Sequence, residues 1–159
     1  LGDSSNENDH LITLKKEIKM SNVNQIRVRV KTGSKGVVSG AHGDVYLGIG
    51  GREFHLAIFG NKDFRAGETE EFILGEGTNI GVFPDDNDPR SPYQMITETL
   101  SKYPLYVWFE PTSPDSRWEL DEIGVTVNPG SDQIEFSALG GGSYLWLNNR
   151  GTKILHFGA

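Results

Sequence analysis

Gln25-Ile26-Arg27-Val28-Arg29-Val30-Lys31-Thr32 alternates apolar and polar side chains without a break. Successive strand residues point to opposite faces, so Ile26, Val28 and Val30 share one face and Arg27, Arg29 and Lys31 the other. The octet predicts a half-buried strand, with a core on one side and water on the other. Thr32-Gly33-Ser34-Lys35-Gly36 breaks it and opens a loop that runs to Gly43. Val45, Leu47 and Ile49 resume the alternation. Gly50-Gly51 supplies a two-residue hairpin turn, and Phe54, Leu56 and Ile58 form the returning strand. After a loop at 60–67, Phe72 and Leu74 mark a fourth strand.

Further along, 105–109 is dense in strand formers. Residues 118–127 alternate through Leu120, Ile123, Val125 and Val127, with a slip of phase near Glu122 that predicts a β-bulge. Short strands at 134–138, 144–147 and 154–157 follow. About nine strands separated by turn signals predict an all-β, two-sheet antiparallel β-sandwich. Residues 75–104 are an irregular insert. It holds the polar loop Asp85-Asp86-Asn87-Asp88-Pro89 and one or two expected helical turns between Pro92 and Leu100. Residues 1–22 read as a flexible N-terminal arm, leaving 23–159 as one domain.

Composition removes several function classes. The chain has no cysteine, which excludes a disulfide frame, a thiolate nucleophile and a cysteine-based zinc site. Its net charge is −7 and its basic residues form no stripe, so nucleic acid is not an expected partner. Anionic lipid repels such a protein unless something offsets the charge, as a divalent cation could. No apolar run is long enough to span a bilayer, so the chain is not expected to be transmembrane.

Five pieces in order resemble the PLAT (lipoxygenase-homology, LH2) family over about 25–157. They are the Thr32-Gly33 strand end, Ala41-His42-Gly43-Asp44 leading into Val45-Tyr46-Leu47, and Asn61-Lys62-Asp63-Phe64-Arg65-Ala66-Gly67. Arg117-Trp118-Glu119-Leu120-Asp121-Glu122-Ile123-Gly124-Val125 and the closing Phe136 with Trp146-Leu147 complete the set. The chain departs from the family in its long insert and in His42, which stands where the family often has an aspartate. The resemblance implies a PLAT/LH2-like sandwich that docks a protein to a lipid or membrane surface, or to a protein partner.

The resemblance also implies a calcium site drawing on Gly33, Gly40, Asp44, Asn61 and Asp63. Calcium takes six to eight oxygen ligands, which carboxylates and loop carbonyls supply. His42 weakens such a site, because imidazole suits a hard cation poorly. The competing reading is that the glycines serve turn geometry and the carboxylates are solvated. For lipid docking the candidates are Val37, Val38 and Phe64. Val37 and Val38 are the more expected to be exposed, whereas Phe59 and Phe64 are expected to fold back onto the core. Trp108, Trp118 and Trp146, with Tyr103, Tyr106 and Tyr144, could form a stacking platform, but core packing is the stronger reading, with Trp118 in the core.

No catalytic motif is present. Ser39 in Gly36-Val37-Val38-Ser39-Gly40 misses the nucleophile-elbow position, and the four histidines lack metal-pair spacing. The expectation is a non-catalytic, calcium-assisted docking module. The alternative is a protein- or small-ligand-binding sandwich with specificity in the insert, through Phe83, Tyr93 and Met95.

Overall fold

The computed structural model describes residues 20–34 and 43–158. Among them nine strands occur: β1 Gln25–Thr32, β2 Gly43–Ile49, β3 Arg52–His55, β4 Thr69–Gly75, β5 Leu105–Pro111, β6 Arg117–Val127, β7 Ile134–Leu139, β8 Leu145–Asn148 and β9 Ile154–Phe157. They form two antiparallel sheets. One runs β4-β1-β6-β7, with β8 also on β6; the other runs β3-β2-β5-β9.

The alternation in β1 is borne out residue by residue. Ile26, Val28 and Val30 are buried, while Arg27, Arg29 and Lys31 are exposed. They meet Phe72 and Leu74 of β4, and Trp118, Leu120, Ile123 and Val125 of β6. Val45, Leu47, Phe54, Val107 and Phe109 of the other sheet complete the core. Trp118 is fully buried, and its Nε1–H donates to Thr32 Oγ1 at 3.0 Å, so the one polar atom of the ring is satisfied.

The slip in β6 is a bulge. Lys31 pairs with Glu122 and Thr32 with Leu120, so Asp121 has no opposite number on β1. The hairpin turn at Gly50-Gly51 has φ of 58° and 81°, a backbone that glycine adopts without strain, and Ile49 pairs with Arg52 across it.

The insert tracks the outer edge of β3. The His55 N–H donates to Asn87 Oδ1 at 2.6 Å, and the Gly81 and Val82 N–H groups donate to Ala57 O. Arg52 donates to the carbonyls of Asp88 and Ser91, both at 2.9 Å. The insert thereby covers the His55 end of that edge. Ile80, Met95 and Leu100 enter the core from the insert.

Of the expected helical turns, only the 3-10 turn Thr97–Ser101 forms. Residues 95–97 are held extended instead by pairing with 21–23, through Val23 N–H to Met95 O and Thr97 N–H to Ser21 O, both 2.8 Å. The end of the expected arm is thus tied to the insert. The register places four loops at one end of the sandwich: β1–β2, β3–β4, β5–β6 and β8–β9. The Gly50-Gly51 turn lies at the other.

Candidate docking site

Among the described residues of the loop end, the loop between β3 and β4 carries the most exposed large apolar side chain. Phe59 is 70% exposed, just before the 3-10 turn Gly60–Lys62. Lys62 and Arg65 are exposed in the same loop, with the Arg65 Nε–H on Lys62 O at 3.1 Å. Together with Glu68, Glu70 and Glu71 they line a cleft beside Phe59, so the two cations share it with three carboxyl groups.

Phe64 behaves oppositely: it folds onto the core, as expected of it, which corrects its place among the lipid-docking candidates. It is 3% exposed, stacked on Phe72 with ring centroids 5.1 Å apart and edge-on to Trp118 at 5.1 Å. Its φ of 59° turns it inward. A ring so packed has no surface left for a bilayer. The preference for Phe59 as a core residue is likewise corrected.

Asp63 shapes this loop from beneath. Its carboxylate is buried and accepts the Ile58 N–H at 2.8 Å and the Phe59 N–H at 3.1 Å, so it holds the segment leading to Phe59. Half-buried Glu70 accepts the Phe64 N–H. Burial, with the negative charge of Asp63 added, pushes the Glu70 carboxyl up to about 7.

The stems of two loops are bonded together. The Gly67 N–H is shared between Thr32 O at 3.1 Å and Gly33 O at 3.2 Å, and Thr32 N–H donates to Glu68 O at 3.0 Å. Gly33 also packs against the carboxylates of Glu119 and Asp121, where a side chain on it would collide. Val37, Val38, Gly40 and His42 lie outside the described residues, although Ser34 and Gly43 that flank them stand at this end.

Asp44, Asp63 and the Gly33 carbonyl, of the expected calcium set, each have a partner within the fold. Asp63 is spent on backbone N–H groups. Asp44 lies on the outward face of the β3-β2-β5-β9 sheet, with Oδ1 3.1 Å from His55 Nε2. Gly33 O accepts from Gly67, and Asn61 lies in the 3-10 turn. Among the described residues no three His, Asp or Glu side chains gather as a metal group.

Phe59 was missed in sequence because two phenylalanines five residues apart look equivalent there. The available signal was the pair of basic residues, Lys62 and Arg65, in an otherwise acidic chain. Of the expected insert residues, Phe83 and Tyr93 are 69% and 81% exposed, whereas Met95 is buried. Trp118 is in the core as expected, and Trp108 stands on the outward face.

The architecture is a PLAT-like β-sandwich. Its solved likenesses include the alpha toxin of Clostridium absonum, at 17% identity and a TM-score of 0.54, over 85% of this chain and 31% of that one. An alpha-toxin of Clostridium perfringens from avian strain SWCP matches at 17% identity and a TM-score of 0.50, over 81% of this chain and 30% of that one. The chain therefore spans about a third of either toxin, and at this identity the likeness is one of fold. No protein-family model matches the chain. No curated protein matches it either.

Proposed function

We propose that this chain is a non-catalytic docking module that holds to a lipid surface through the loop end bearing Phe59, Lys62 and Arg65. The observation that carries this reading is the exposed Phe59 ring flanked by two exposed cations. Burying one such ring is worth about 1.5–3 kcal/mol. Each cation near an anionic surface adds about 1 kcal/mol. The sum is a weak, reversible attachment that works against the overall −7 and against Glu68 and Glu71 beside the two cations. This attachment rests on the ring and the cations and does not invoke calcium. No helix among the described residues is long and apolar enough to cross a membrane, which fits attachment by a loop tip. The match to a third of each toxin supports a module carried by a larger protein.

Co-sedimentation with neutral and anionic vesicles, with and without calcium, tests this. The chain should pellet with anionic vesicles in either condition, and Phe59→Ser and Lys62→Glu/Arg65→Glu should each abolish it. Pelleting unchanged by both variants overturns the assignment to this loop.

A second reading, protein docking through the insert, rests on the exposed Phe83 and Tyr93. Its signature is partner binding lost in Tyr93→Ser while vesicle binding is kept.

A further inference from the structure

The outward face of the β3-β2-β5-β9 sheet carries a built aromatic and acidic surface. Tyr46 lies opposite His55 and Trp108 in the register, and the three rings stand as a stack. Tyr46 is 4.9 Å from His55 and 5.0 Å from Trp108 between centroids, at interplanar angles of 25° and 26°. Their faces are used on one another, so no sugar ring or ligand can enter between them.

Tyr106, two residues along β5 from Trp108, lies differently. A side chain at Gly48 would fall close to Cζ, Cε1 and Cε2 of Tyr106 together, which places that ring face-down over Gly48. Lying across β2, it reaches β3, where its hydroxyl donates to Glu53 Oε2 at 2.7 Å. His156 meets it edge-on at 5.6 Å. The outer face of the ring is left toward solvent, floored by the sheet and walled by the Trp108–Tyr46 stack.

Three carboxylates rim this surface: Glu53 on β3, Asp44 on β2 and Glu110 on β5. Glu110 receives the Tyr46 hydroxyl at 3.5 Å. Among the described residues no Lys or Arg forms an ion pair with Glu53, Asp44 or Glu110. The hydrogen bond to Glu53, with burial added, pushes Tyr106 up to about 12, and burial, with the charges of Asp44 and Glu110 added, raises Tyr46. The opposite sheet face differs: Arg27, Arg29, Glu71, Glu122 and Glu135 mix both signs, with Arg29 3.6 Å from Glu122.

We propose that this face docks a basic segment of a protein partner, with a Lys or Arg head group seated on the Tyr106 ring beside Glu53 and the Trp108–Tyr46 stack. An open ring face attracts a cation, and adjacent carboxylates fix its position. The three carboxylates favour a segment with several cations over a choline head group, whose phosphate they repel. The surface lies on the flank of the sandwich, so it can be filled while the loop end is on a membrane.

The probe is an extended peptide of alternating Arg and Gly, titrated at low salt against the whole chain, with phosphocholine and an acidic peptide of equal length alongside. Tryptophan fluorescence should change with the Arg peptide alone. Glu53→Gln/Glu110→Gln should weaken that binding by about tenfold or more, and Glu71→Gln/Glu135→Gln on the other sheet should leave it unchanged. Circular dichroism and the melting midpoint establish that both variants fold. Absence of binding, equal weakening by both variants, or binding of phosphocholine in place of the peptide would each overturn the proposal.

Discussion

Phe59 and Phe64 show what a single side chain decides. Both flank one loop, yet one is 70% exposed and the other 3%. Phe64→Ala should cost about 3–5 kcal/mol, because it empties a site packed by Phe72 and Trp118. Phe59→Ser should move stability by no more than about 0.5 kcal/mol. Chemical denaturation of the two variants checks both numbers. No periodicity separates these residues, since the loop has none; a backbone turn at Phe64 does the sorting, and that turn has no sequence mark.

Glu70 gives a prediction of known sign. Its folded value of about 7 stands above the ordinary 4.5, so the folded chain binds the proton more tightly than the unfolded chain. The stability contributed by neutral Glu70 is complete below about pH 4.5 and is lost as pH rises through about 7. Glu70→Gln keeps a neutral acceptor for the Phe64 N–H. The variant should match the wild type near pH 5 and melt at a higher temperature at pH 8. Equal melting curves at pH 8 would remove the buried-carboxylate account.

At the scale of elements, the strands were legible and the insert was not. β1 and β6 each have one wet and one dry face, and that asymmetry writes itself into alternation. Even the bulge at Asp121 left a trace, the slip near Glu122, because an extra residue must shift the phase. The insert has no period because its work is done by single polar groups. Asn87 accepts the His55 N–H and donates to Phe83 O at 2.8 Å, which joins the edge of β3 to the loop. Asn87→Ala should therefore cost about 1–3 kcal/mol by leaving buried groups unpaired. Amide exchange should quicken at His55 and leave β1 and β6 unaffected at their level. Uniform exchange across both sheets would show that the insert does not guard that edge.

At the scale of the molecule, surfaces of different chemistry occupy different sides of one sandwich. The loop end offers a phenyl ring with two cations; one flank offers aromatic rings with carboxylates. The sequence hinted at the first through its Gly-rich loops and PLAT-like order, but offered Phe64, which is buried, where Phe59 is the exposed ring. Asp44 and Asp63, joined in the expected calcium site, have different partners in the fold: Asp44 an outward-facing contact with His55, Asp63 a buried cap on backbone N–H groups. That division depends on which way each strand end points, and spacing along the chain does not record it. Local attraction set against an overall charge of −7 also makes vesicle binding salt-sensitive. Raising ionic strength should release the chain from anionic vesicles without unfolding it.

The chain has no cysteine, so one introduced thiol can carry a single environment-sensitive dye. Ala66→Cys places the dye in the Phe59 loop without removing Phe59, Lys62 or Arg65, and Tyr93→Cys places it in the insert. With anionic vesicles, the dye at 66 should shift to the blue as it enters an apolar medium, and the dye at 93 should not move. A shift at 93 with none at 66 would contradict docking through the loop end.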